Sequence, residues 1–167
     1  MFNRASTTAY VTKMSDPALS SPPSLPINAA HVVRQFARRG DLADAQFLYG
    51  EVAQRMMGRL QYVRIQPDTL LDAGCGAGDN LPLLRARYPQ ANYVGLDNCA
   101  PLLAHAHKRF TSQGVAAWIN KLTHRKQPDQ RFIQADMAAS GMAPESLDLV
   151  WSNLALHWHP EPHRVLA

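Results

Sequence analysis

The chain has 167 residues, is 46% hydrophobic and 18% charged, and carries a net charge of +4. That size fits one domain with a real core plus a tail. No stretch approaches the roughly 20 apolar residues of a membrane span. A small positive charge without an aromatic-interleaved basic stripe argues against nucleic acid as a partner.

Residues 1–27 mix Ser, Thr and Pro, as in Pro22-Pro23-Ser24-Leu25-Pro26, and are read as a disordered tail. Arg4 and Lys13 with no acid before Asp16 leave an organellar-targeting reading open, and Met14 can equally serve as the start; an untargeted tail is preferred. Residues 28–66 form a helical cap. Val33, Phe36 and Ala37 share one face of a first helix, and after a break at Gly40-Asp41 the set Phe47, Leu48, Val52, Met56 and Leu60 marks a second. From residue 67 the pattern changes. Pro67-Asp68 punctuates entry into a strand, Leu70-Leu71-Asp72-Ala73, and a helix with Leu81, Leu84 and Ala86 follows, capped by Asp79 and carrying Pro82 in its first turn. Tyr88-Pro89 ends that helix, Tyr93–Leu96 forms a second strand, and a helix from about Cys99 to Phe110 comes next. Strand and helix alternate, which implies parallel strands with a ligand at their carboxyl ends.

Between Phe110 and Phe132 lies a longer connection with Trp118, Ile119 and Leu122 at helical spacing, then His124-Arg125-Lys126 with Lys121 and Arg131 nearby. The basic run is either a solvated loop face or a dock for an acidic partner such as a carrier protein. The stretch His157-Trp158-His159-Pro160-Glu161-Pro162-His163 invites a metal reading, but two prolines interrupt any regular face and no Cys or second acid joins at a familiar spacing, so no metal is assigned. Cys75 and Cys99 are read as reduced thiols of a cytoplasmic protein, neither a disulfide nor metal ligands.

The chemistry concentrates in Asp72-Ala73-Gly74-Cys75-Gly76-Ala77-Gly78-Asp79, a strand-to-helix turn with three alternate glycines. Gly74 permits the turn, Gly76 lets bare backbone approach a ligand, and Gly78 lets the following helix pack on the sheet. Asp97, closing the second strand, stands where a carboxylate takes a ribose hydroxyl pair. The spacing is not that of a dinucleotide binder, and no Gly-Lys-Ser/Thr follows as in a triphosphate loop. Asp72 and Asp79 disfavour pyrophosphate and suit a ligand bearing ammonium and sulfonium cations, which S-adenosylmethionine does.

From about Leu70 onward the chain resembles the class I S-adenosylmethionine-dependent methyltransferases. Asp72, Gly74, Gly76 and Gly78 match the family's first motif and Asp97 its ribose-binding acid; Phe132-Ile133-Gln134-Ala135-Asp136-Met137 looks like its third strand with the adenine-contacting Asp, and Leu147–Asn153 like its fourth strand. The resemblance implies a Rossmann-like α/β three-layer sandwich with N-terminal helices, and cofactor contacts from Asp72, Ala73, Gly74, Cys75, Gly76, Gly78, Asp97, Asn98, Asp136, Met137 and Asn153. It places both cysteines toward the cofactor pocket. The N-terminal helices cover that pocket in the family, so Phe36, Phe47 and Tyr49 are candidates for its wall or for packing between helices. The loop after the fourth strand offers His157 and Trp158 to the acceptor, with Tyr49 beside them.

Ser152-Asn153-Leu154-Ala155 departs from the Asn-Pro-Pro-Tyr of amino-methylating enzymes. With Phe47-Leu48-Tyr49 and Arg59-Leu60 it is similar to the malonyl-acyl-carrier-protein O-methyltransferases of biotin synthesis, and to related complex I assembly factors, some of which hydroxylate arginine. The first relationship implies methylation of a free carboxylate, on a small molecule or a carrier-bound acyl group. Such an acceptor needs alignment and desolvation but no general base, and no catalytic residue is assigned. The family sheet has seven strands, whereas this chain stops about fifteen residues after the fourth. It is therefore expected to be a fragment or truncated frame with an unpaired sheet edge. An assembly factor or hydroxylase without methyl transfer, and an inactive remnant, are the alternatives.

Overall fold

Four segments with apolar residues at their centres become strands; a helix returns the chain between the first and second and between the second and third, and every strand pair is parallel. The computed structural model describes residues 24–38, 43–111 and 128–166, and side chains outside 43–46 and 111 within them. Most of the expected tail, the Gly40-Asp41 break, and Trp118, Ile119, Leu122, Lys121, His124, Arg125 and Lys126 lie outside the described residues. The elements run α1 (Ala29–Arg38), α2 (Ala43–Leu60), β1 (Thr69–Ala73), α3 (Leu81–Arg87), β2 (Asn92–Asp97), α4 (Ala100–Thr111), β3 (Gln130–Gln134), β4 (Leu149–Trp151), a 3-10 turn (Leu156–Trp158) and α5 (Pro162–Val165).

The sheet order is β3-β2-β1-β4. Leu71 of β1 stands between Val94 of β2 and Val150 of β4, and Gly95 of β2 faces Phe132 of β3. The two central strands are buried along nearly their whole length, as a parallel sheet covered on both faces requires. One face packs Leu70, Tyr93 and Trp151 against Ala53 of α2, Leu81 and Leu84 of α3, and Tyr88. The other buries Leu71, Ala73, Val94 and Leu96 beneath Ile133, Ala135, Met137, Met142 and Leu147. Among the described residues this second cluster is built from strands and loops, so the expected second helix layer is not represented in it. On the β4 edge Val150 is 58% exposed.

Several local expectations are corrected. Asn80, not Asp79, occupies the cap of α3, without a side-chain cap bond; Asp79 instead pairs with Arg109 at 2.6 Å. On α2 the inward stripe is Ala53, Met56, Met57 and Leu60, while Phe47 and Leu48 are exposed. The helical period explains this: positions 53, 56, 57 and 60 lie on one face that 47 and 48 miss. The fourth strand is shorter than expected, and just before it the Asp148 carboxylate accepts the N–H groups of Asp68 and Thr69 at 3.0 and 2.9 Å. Leu25, within the expected tail, donates its N–H to the Pro160 carbonyl at 2.7 Å.

From β1 the chain steps to β2 and β3 on one side, then to β4 on the other. That reversal opens a crevice at the carboxyl ends of β1 and β4, where ligands of open α/β sheets bind.

Candidate functional site

The loops that leave the four strands meet around a cleft of about 990 Å³, roofed by α1 and α2. Gly74, Gly76 and Gly78 all have positive φ, at 78°, 54° and 79°, which glycine adopts at no steric cost. The turn is pinned to the next strand: the N–H groups of Gly74 and Cys75 donate to the Leu96 carbonyl at 2.8 and 3.0 Å. One position further on, Gly76 N–H donates to Asp97 Oδ2 at 2.9 Å, and Asp97 Oδ1 accepts Cys99 N–H at 2.8 Å. Each of those oxygens keeps a second lone pair. Burial raises the Asp97 carboxyl above the usual range although these N–H groups favour its charged form.

The three glycines do different work. A Cβ on Gly74 would collide with the Cβ of Ala155, and one on Gly78 would come within 2.9 Å of Phe110 Cε2 and 3.4 Å of Phe132 Cε1. Gly78 thus clears space for aromatic side chains of α4 and β3 instead of for the following helix. Among the described residues beyond its chain neighbours, a Cβ on Gly76 would meet only Leu102 Cδ1, at 3.8 Å. The backbone there borders open cleft, as a shelf beneath a ligand must.

Gly74, Cys75, Gly76, Asp97, Asn98, Asp136, Met137 and Asn153 come together on the cleft wall, with Tyr49, Phe36 and Trp158. Phe36 meets Trp158 edge-on with ring centroids 5.6 Å apart. Asp72, Ala73 and Gly78 are buried behind that wall. Asp72 is fully inaccessible; it accepts from Tyr93 OH at 2.9 Å and from Asn80 Nδ2 at 3.4 Å. Desolvation raises its carboxyl to about 7, and its full burial keeps it out of contact with anything held in the cleft. His157 is exposed and lies off the cleft, its ring 4.9 Å from that of Trp158. Phe47 also lies off it. Cys75 and Cys99 are free and buried, but only Cys75 borders the cleft; Cys99 Sγ faces the Val33 carbonyl of α1 at 3.9 Å.

Two features were not anticipated. Asn153 Nδ2 donates to the Tyr49 carbonyl at 3.0 Å and to Asn80 Oδ1 at 3.3 Å, tying the cap helix to the loop after β4. Its Oδ1 is buried without a partner among the described residues. His159 is buried against Asp136, with Nε2 2.9 Å from Oδ1. Burial opposes charge on Asp136, but the Ala138 N–H and His159 outweigh it and hold this carboxyl below the usual range. Among the described residues no three His, Cys, Asp or Glu side chains gather as metal ligands would, and no helix is long and apolar enough to cross a membrane.

A family model described as a methyltransferase domain matches residues 71–167. The malonyl-acyl-carrier-protein O-methyltransferase of Gallionella capsiferriformans is 38% identical over 141 residues, covering 78% of this chain and 45% of that protein. Its namesake from Laribacter hongkongensis is 39% identical over 123 residues, covering 74% and 39%. The chain therefore spans less than half the length of these curated relatives. Among solved structures, the magnesium protoporphyrin IX methyltransferase of Synechocystis PCC 6803 with bound S-adenosylmethionine superposes with a TM-score of 0.53 at 20% identity, covering 80% of this chain and 60% of that one. That likeness bears on the fold.

Proposed function

We infer that this chain, which belongs to the methyltransferase domain family through residues 71–167, binds S-adenosylmethionine in the cleft and serves methylation of a carboxylate on a malonyl-acyl-carrier protein. The observation that carries the cofactor half is the Gly76–Asp97 bond. It holds a bare backbone shelf and a carboxylate with spare lone pairs on one wall, open to the cleft. Asp97 takes the ribose hydroxyls, Asp136 and Met137 border the adenine, and Asn153 borders the part of the cleft that takes the methionine end of the cofactor. When bound, S-adenosylmethionine supplies an electrophilic methyl group.

Residues 28–66 act as the helical cap of the 67–167 domain. Tyr49, Phe36 and Trp158 supply an apolar wall that excludes water from the acceptor. A carboxylate is already nucleophilic at neutral pH, so this chain's contribution is alignment, an effect worth roughly 7–11 kcal/mol in favourable cases. The malonyl-carrier-protein acceptor is supported by the names of the relatives at 38% and 39% identity and by the Ser152–Trp158 sequence.

Incubating the protein with methyl-labelled cofactor and malonyl carrier protein tests this, with acetyl carrier protein as the control lacking a free carboxylate. Label on the malonyl form alone supports the reading. Cofactor binding with no label on the malonyl form contradicts the acceptor assignment.

A further inference from the structure

We propose that His159 is a positioning residue: it fixes the Asp136 carboxylate so that one oxygen faces the exocyclic amine of the cofactor's adenine, and thereby sets a preference for adenine over an oxo-purine. The inference rests on the cofactor reading above. His159 is 7% exposed and sits in the loop that follows β4. Its Nδ1 accepts the N–H of Glu161 at 3.0 Å, which assigns the proton of the neutral ring to Nε2. Nε2 lies 2.9 Å from Asp136 Oδ1. The same Oδ1 receives the Ala138 N–H at 2.7 Å. Both donors converge on one oxygen, and among the described residues Oδ2 has no hydrogen-bonded donor.

The loop holding the ring is itself fastened. His159 N–H donates to the Leu156 carbonyl at 3.0 Å, and the Pro160 carbonyl accepts Leu25 N–H at 2.7 Å. Asp136 and His159 both border the cleft. The Asp136 side chain is 47% exposed, and without His159 only the Ala138 N–H, among the described residues, holds its carboxylate, which is then freer to swing from the cleft toward water. Held as it is, Oδ2 is an acceptor for an N–H donor on a heterocycle edge. Hypoxanthine presents an oxygen where adenine presents its amine, and a carboxylate rejects that oxygen.

The test compares the affinities of the chain for S-adenosylhomocysteine and S-inosylhomocysteine by calorimetry. The unaltered chain is expected to favour the adenine compound by about tenfold or more, the scale of one hydrogen bond to a charged group. His159→Leu is expected to reduce that ratio several-fold, His159→Gln, which keeps an N–H donor, to restore most of it, and Asp136→Asn to remove it with no further effect of His159→Leu. Should His159→Leu fail to fold, the Gln and Asn variants still decide. An unaltered ratio in His159→Leu, or a ratio in His159→Gln as low as in Asp136→Asn, overturns this inference alone. An unaltered chain that binds neither compound overturns the cofactor reading and this inference with it.

Discussion

The main-chain N–H of Gly76 donates to Oδ2 of Asp97 at 2.9 Å, joining the loops that leave two neighbouring parallel strands. Asp97 thus serves the protein as well as any ligand, since its other oxygen holds the Cys99 N–H. Asp97→Ala is expected to weaken S-adenosylmethionine binding by tenfold to a hundredfold, and to lower unfolding free energy by about 1–3 kcal/mol through the two amides left unpaired. Calorimetry and urea unfolding measure the two effects. Asp97→Asn, which can still accept one N–H, should recover part of the stability and less of the affinity.

Gly74 has φ of 78° and no room for a side chain, because Ala155 stands against it. Gly74→Ala therefore combines a left-handed alanine with overpacking, and the expected loss is about 2–4 kcal/mol. The double variant Gly74→Ala, Ala155→Gly should regain the packing part and keep the conformational part. Equal stability of the single and double variants in urea melts would contradict that assignment.

Asp72 is buried, with its carboxyl raised to about 7 from an ordinary 3.8. The folded chain therefore keeps a proton that the unfolded chain has released between those values. The resulting stabilisation is complete below pH 3.8 and is lost as pH rises through 7, an effect of at most about 4 kcal/mol. Unfolding free energy should fall from pH 5 to pH 8, and Asp72→Asn should flatten that decline. A decline of the same steepness in the variant would contradict the assignment.

Cys75 is buried, and desolvation first, then the negative charges of Asp72 and Asp97, push its thiol well above the usual range; burial raises Cys99 as well. Neither is poised as a thiolate. Intact-mass measurement after iodoacetamide at neutral pH is expected to show both unmodified in the folded chain and both alkylated in denaturant.

The sequence disclosed what local chemistry controls. The largely apolar runs of β1 and β2 need no partner to be recognised, and the alternate glycines with Asp97 name a turn and an acid because spacing alone implies them. What it hid depends on elements meeting in space. Asp136 and His159 lie 23 positions apart and join only because the loops after β3 and β4 end over one cleft. The Asn153 bond to the Tyr49 carbonyl spans 104 positions. Cys99 resembles Cys75 in following a strand, yet it turns toward α1, a packing choice no spacing reveals. Asp79 and Asn80 are both competent caps; Asn80 takes the cap position while Asp79 pairs with Arg109.

The open shelf at Gly76, where an added Cβ meets nothing closer than 3.8 Å among the described residues beyond its chain neighbours, is the central feature of the site. Gly76→Ala should fold with a stability loss of only about 1–2 kcal/mol from its positive φ. Its methyl group would occupy space assigned to the cofactor. The measurement is S-adenosylmethionine affinity of this variant by calorimetry, read beside its urea melt. A loss of tenfold or more in affinity with the fold retained is the predicted result. A folded Gly76→Ala that binds the cofactor as tightly as the parent would contradict the account.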